Sequence, residues 1–352
     1  MRSRTALVAV GSVVAAAALL AGCGGGDGGS SALNPTGTTA ATTAPSASTT
    51  VPTSGSTGAP GGRGIALAAA PWQLATPIGR EVLVTDGKDL YLAGGLDTAG
   101  VSSGAVAKLG PATGKSTSVG TLSLPVHDAM GVWRDGQIVV VAGGSPPIRT
   151  EVQSVTPGGA TKVIGQLPAP PRADHVVAQV NNTIYALGGG DEASNLVGTV
   201  AASADGGVTW RAAGSLVEPV RYPAIAVIDG AIYLFGGVST TGGTDTASVQ
   251  RYDPKTEQTT VAAKLPAPLS HSTAVVLDDV VYLLGGYVNN RLGGQVWRFD
   301  PRAVTTADAG VALPAPLSDS AAVVIDGVGY LVGGQGTDKK PVTTVTLVKP
   351  RT

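Results

Sequence analysis

Arg80, Arg172, Arg221, His127, His271 and Asp319 are the side chains best suited to assemble a site. Each stands shortly before an apolar run, and the runs recur evenly along the chain, so a symmetric fold would bring all six to one face. A guanidinium offers two parallel donors, which suits the paired oxygens of an anion or a sugar. Imidazole and carboxylate add acid–base capacity near neutral pH. Asp128 follows His127, and Asp174 and His175 lie just past Arg172, so the set carries both signs of charge. The competing reading is structural, with each arginine fastening neighbouring segments through an aspartate or a main-chain carbonyl. No metal is expected. His127, His175 and His271 stand 16, 13 and 14 residues before the glycine pairs that follow them, and no His-x-His or His–carboxylate spacing supports a ligand set. No other cofactor is expected either.

The elements that position these residues are six copies of one pattern. Each is a β-branched apolar run, a short polar turn, a second apolar run and then Gly-Gly. The copies end at Gly94-Gly95, Gly143-Gly144, Gly188-Gly189, Gly236-Gly237, Gly285-Gly286 and Gly333-Gly334, with successive first glycines 49, 45, 48, 49 and 48 residues apart. A period near fifty with strand patterning predicts propeller blades. The turns between the paired runs are Asp86-Gly87, Asp135-Gly136, Asn181-Asn182, Asp229-Gly230, Asp278-Asp279 and Asp326-Gly327. Such residues tolerate positive φ, as a two-residue hairpin demands.

After each glycine pair comes a polar loop, then a third strand such as Ser248–Tyr252, a turn at Asp253-Pro254 and a fourth strand over Thr259–Ala263. The loops after the glycines add Arg149, Glu151, Asp191, Glu192, Arg291, Lys339 and Lys340 to the same rim. No glycine pair is followed by Lys-Ser/Thr or opens a helix, so neither a P-loop nor a dinucleotide fingerprint is present. The expected fold is all-β: a six-bladed β-propeller of four-stranded antiparallel blades over residues 65–352. The sixth copy runs out after a third strand at Val342–Val348, while Ala69–Ala75 precedes the first copy like an orphan fourth strand. The N-terminal strand is therefore expected to complete the last blade and remove an open edge.

Ahead of the repeats, a basic start at Met1–Arg4 leads into an apolar run from Ala6 to Leu20, too short for a comfortable membrane span. Leu20-Ala21-Gly22-Cys23 matches the bacterial lipobox, and Cys23 is the chain's one cysteine. Residues 1–22 are read as a signal peptide, with Cys23 lipidated and the protein anchored by lipid on the extracytoplasmic side of the cell membrane. Residues 23–64, rich in Gly, Thr, Ser, Ala and Pro, are read as a stalk that cannot bury a core. A net charge of −1 with 13% charged residues leaves no basic footprint for nucleic acid.

Apolar strand, Asp-Gly turn, apolar strand, Gly-Gly and then an aromatic near the next turn resembles the Kelch motif. Tyr252 with Asp253, Phe299 with Asp300, and Trp72 and Trp210 match its aromatic positions, which the first and second copies lack. Ser203–Trp210 resembles the Asp-box, S-x-D-x-G-x-T-W, whose role is to brace a hairpin. The resemblance implies a six-bladed Kelch propeller and no single activity. A copper site like that of galactose oxidase needs a cysteine crosslinked to tyrosine, and the one cysteine, Cys23, is read as lipidated; Tyr222 beside Arg221 is thin support for sialidase chemistry. The expected function is a monomeric module that binds a protein or carbohydrate through its loop face. The alternative is a sugar-active enzyme similar to the N-acetylneuraminate epimerases, using the central channel with Glu192, Asp319 or a histidine as acid and base.

Overall fold

The computed structural model describes residues 64–144, 147–240 and 243–351. The signal segment, Cys23 and the stalk as far as residue 63 lie outside the described residues. All regular structure described is β, in six four-stranded antiparallel sheets and a small three-stranded one at Leu269–Ser270, Tyr287–Val288 and Arg291–Leu292. The first strands of the six sheets are Val82–Thr85, Met130–Arg134, Val176–Val180, Ala224–Ile228, Thr273–Leu277 and Ala321–Ile325. Each touches the next in that order, and Ala321–Ile325 touches Val82–Thr85, so the described strands close a circle. The fold is a β-propeller.

Hairpin chemistry explains the register. At Asp135-Gly136, Asp229-Gly230, Asp278-Asp279 and Asp326-Gly327 both turn residues have positive φ, the geometry that lets two-residue turns match strand twist. The first copy differs. Its strands end at Thr85 and resume at Leu90, and the Asp86 carboxylate accepts from the amides of Lys88 and Asp89 to hold this longer loop.

Second strands such as Ala231–Phe235 and Val280–Leu284 are buried along their whole length, because neighbouring sheets cover both faces. The third strand carries a wedge into the sheet before it. Tyr252, fully buried, packs among residues of the third sheet and donates its hydroxyl to the Ala213 carbonyl at 2.7 Å. Phe299 packs likewise on the fourth sheet. In the copies without the aromatic, Leu109, Val155 and Val348 occupy the same register and are also buried against the preceding sheet.

The sixth sheet is completed by Ile65–Ala69, which pairs antiparallel with Val345–Pro350, from Ile65 opposite Pro350 to Ala69 opposite Thr346. The latch is therefore the N-terminal strand, several residues earlier than the Ala69–Ala75 of the sequence reading. Trp72 leaves the strand and donates its indole N–H to the Pro111 carbonyl of the first sheet at 2.8 Å, while the Leu74 amide bonds Thr343 of the sixth. That one segment thus bridges the first and last sheets.

The glycine pairs serve the junctions between sheets. The second glycine donates its amide to the carbonyl of the chain entering the next sheet: Gly95 to Val126, Gly189 to Val220, Gly237 to Leu269, Gly286 to Leu317 and Gly334 to Ile78, at 2.7–3.0 Å. A Cβ on the first glycine would meet that same carbonyl oxygen, 2.1 Å away at Gly236 and 2.5 Å at Gly94 and Gly188. Glycine is required there by space as well as by positive φ.

Candidate functional site

On the way into each first strand, one residue turns through the left-handed region: Arg80 (φ 58°), Asp128 (52°), Asp174 (61°), Tyr222 (55°), His271 (55°) and Asp319 (52°). Non-glycine residues avoid this region at a cost of roughly 1 kcal/mol each. Here they are held by one another. The amide of Asp128 donates to the Arg80 carbonyl, Asp174 to Asp128, Tyr222 to Asp174, His271 to Tyr222, Asp319 to His271, and Arg80 back to Asp319, at 2.8–3.1 Å. Six hydrogen bonds form a closed ring in which every sheet contributes one donor and one acceptor.

The side chains of all six ring residues line an axial cavity of ≈ 180 Å³. Glu81 and His175 join them, and the first strands add apolar walls that include Leu83, Met130, Ile225 and Ala274. The Arg80 guanidinium pairs with Asp128 at 2.8 Å, and His127 Nε2 lies 3.5 Å from the same carboxylate oxygen. The Tyr222 ring stacks on His271 with centroids 3.8 Å apart, and the guanidinium carbons of Arg80 and Arg221 lie 5.8 and 5.7 Å from its centroid. Ser318 donates to Asp319 at 2.8 Å, and the Ser270 hydroxyl lies 2.9 Å from His271 Nδ1.

Burial dominates the electrostatics. It pushes the Glu81 carboxyl up to about 8 and Asp174 well above the usual carboxylate range, the latter helped by the charge of Asp128. Asp319 and Asp128 are also raised by burial, against the pull of Arg80. His175 falls to about 3 through burial and the charge of Arg172, and His271 to about 4 through burial and the charge of Arg80. Near neutral pH the cavity thus holds neutral imidazoles beside carboxyls that resist ionisation.

Of the six residues singled out in the sequence, Arg80, His271 and Asp319 stand on the ring. His127, Arg172 and Arg221 do not line the cavity. His127 is one residue early, hydrogen-bonded to Ser102 at 2.8 Å, and Asp128 takes the ring position. Arg172 is 1% exposed and bonds the carbonyls of Gly188 and Thr199 and the Thr199 hydroxyl, so it is a fastener inside its own sheet. Arg221 lies beside Tyr222, which takes the ring position. Three converging arginines are therefore not formed. Asp174 and Tyr222 were legible by counting: Arg80, Asp174, Tyr222, His271 and Asp319 each stand fourteen residues before the first glycine of their pair. Asp128 stands fifteen before Gly143, because the second strand of that sheet carries a register shift between Val141 and Gly143. Glu81 carries no signal in sequence, since one residue from the ring a carboxylate looks like any other.

Elsewhere, the Ser203–Trp210 segment is cross-braced. Ser203 donates to Asp205, Asp205 accepts from the Thr209 amide and hydroxyl, and Ser203 accepts from the Gly207 amide, at 2.6–2.9 Å. Glu192, a candidate acid or base in the sequence, accepts from the Ile148 amide and lies outside the cavity.

Comparison with known proteins agrees with this architecture. The Kelch motif matches residues 219–265 and 268–303. The chain is similar to Kelch-like protein terF of Aspergillus terreus, 30% identical over 154 residues, or 39% of this chain and 33% of that protein. It is similar to beta-scruin of Limulus polyphemus, 26% identical over 144 residues, covering 37% of this chain and 16% of that one. The chain thus spans a third or less of the length of these curated relatives. The solved structure of YjhT superposes with a TM-score of 0.69 at 16% identity, covering 80% of this chain and 97% of that one, a likeness of fold. The chain carries Kelch repeats and folds as a Kelch-like β-propeller.

Proposed function

We propose that this chain is a six-bladed Kelch propeller, tethered outside the cytoplasm through lipid on Cys23, that recognises a protein ligand through the face centred on the axial ring. The observation that carries this reading is the convergence of six polar side chains, one from each sheet, on one cavity. Chain direction supports the orientation. Ile65 opposes Pro350, at the end of the sixth sheet away from the ring, and the first strand runs from there towards the ring side. The described chain thus begins on the face opposite the ring, so an attachment there does not occupy the ring face. At ≈ 180 Å³ the cavity is smaller than the roughly 300–1,000 Å³ of pockets that engulf a small ligand, so it admits one protruding group of a larger partner.

A photo-reactive side chain at Arg291, exposed on the ring side, should cross-link the partner in cells, whereas one at Lys88, exposed in a hairpin on the far side, should not. Cross-linking from Lys88 alone would overturn the orientation. A second reading, acid–base chemistry on a sugar, is favoured by one observation: Asp174, held protonated by burial, shares the cavity with His271, held neutral. Turnover of a sugar by the full chain, abolished by both Asp174→Asn and His271→Gln, would replace the binding reading.

A further inference from the structure

Glu81, Asp128, Asp174 and Asp319 line the axial cavity, and among its lining residues Arg80 is the one guanidinium. Arg80 is committed to Asp128. Among the described residues Glu81, Asp174 and Asp319 make no ion pair. Glu81 is 5% exposed, its two carboxyl oxygens are sealed behind the wall near Gly333, and neither has a hydrogen-bond partner; the amides of Glu81 and Ala321 come near without closing a bond. His175, 2% exposed, also lines the cavity with both ring nitrogens unpartnered, and being neutral it supplies no balancing charge. Buried acceptors of this kind are costly to hold ionised unless a cation or a proton meets them. The cavity is an acceptor-rich pocket short of positive charge.

The missing charge has a definable shape. An anion would face three carboxyls with its one possible partner already engaged. No group of three His, Cys, Asp or Glu among the described residues is arranged to hold a metal ion. A sugar would press hydroxyls against Leu83, Met130, Ile225 and Ala274, where they would lose hydrogen bonds to water. A lysine side chain satisfies both halves, with an apolar stem for those walls and three N–H donors at its tip.

We infer that the axial cavity takes a primary ammonium group, the tip of a lysine side chain on the protein ligand, with Asp174 and Asp319 as its acceptors and the sealed Glu81 carboxyl acting on its charge from behind the wall. The inference rests on the binding reading above and names the chemistry of the partner. It carries a proton linkage. Glu81 faces Arg80 on its own segment and Asp319 across the seam, with Asp128, Asp174, His175 and His271 around the cavity. Of these, the carboxyls kept protonated by burial release protons when a fixed positive charge arrives, while both imidazoles stay neutral.

Isothermal titration of the full chain near pH 7, in two buffers of different ionisation heat, tests this. The probes are the Nα-acetyl methylamides of lysine, norleucine and glutamic acid, with glucosamine as the alternative amine. The lysine derivative should bind at least about tenfold more tightly than norleucine, the same stem without the amine, and should release protons. Glu81→Gln should diminish that release, and Asp174→Asn and Asp319→Asn should each weaken binding about tenfold while a cooperative melt verifies folding. Equal affinity for norleucine, preference for glutamic acid, or indifference to both aspartate substitutions would overturn the inference. Glucosamine binding without lysine binding would overturn lysine as the source. Silence from every probe would overturn the ammonium site itself, and the cross-linking pattern from Arg291 and Lys88 would still decide the binding face on its own.

Discussion

Glu81 and the glycines show how single residues are constrained in this molecule. Burial holds the Glu81 carboxyl at about 8 when folded, against an ordinary value of 4.5. Between those values the folded chain keeps a proton that the unfolded chain has released, so stability falls as pH rises through this window. His175 and His271, at about 3 and about 4, act oppositely, adding stability as pH rises to about 6.5. Glu81→Gln removes only the first slope. Its melting temperature, set against the parent chain from pH 5 to pH 8, should show an advantage that grows with pH; a constant difference would mean that Glu81 is not held protonated. Gly236→Ala should be more harmful than Gly230→Ala. Both have positive φ, which costs roughly 1 kcal/mol. At Gly230 a Cβ meets nothing within 4 Å, whereas at Gly236 it lands 2.1 Å from the Leu269 carbonyl oxygen. Denaturant titration should show the Gly236 variant losing at least about 2 kcal/mol more.

Among the elements, the N-terminal segment has the most leverage. Ile65, Trp72 and Leu74 are buried, and they join the sixth sheet to the first. At about 2 kcal/mol for each buried side chain, and about 2 °C per kcal/mol for a domain of this size, deleting residues 65–76 should lower the melting temperature by at least about 10 °C. An unchanged melt would show that the ring closes without its latch. The latch was legible in outline, because the sixth copy lacks a fourth strand, but its position was not. Trp72 resembled Trp210 and drew the expected strand onto Ala69–Ala75, whereas the strand is Ile65–Ala69 and Trp72 turns out of it to bond Pro111. Local composition marks an aromatic; only tertiary packing decides which sheet it serves. The same limit applies to the third-strand wedges. Tyr252 and Phe299 advertise themselves, while Leu109, Val155 and Val348 do the same work without an aromatic signature.

The whole molecule is governed by a symmetry that the sequence displays and a register that it hides. Six glycine pairs at a near-constant period reveal repeated sheets, and the polar residues placed before the first runs and after the glycines reveal the polar character of one face. Which side chains reach the axis depends on a single left-handed residue per sheet, and a slip of one or two positions exchanged Asp128 for His127, Asp174 for Arg172 and Tyr222 for Arg221. That exchange reversed the electrostatics, from an arginine cluster suited to an anion to a carboxyl-rich cavity suited to a cation. The ring is thus both the keystone of the fold and the centre of the candidate site. Amide hydrogen exchange at Arg80, Asp128, Asp174, Tyr222, His271 and Asp319 reports on both. The six amides should exchange together, among the slowest in the chain, and slow further when the lysine derivative is added. Six unrelated rates, or rates indifferent to the ligand, would contradict a closed ring that binds at its axis.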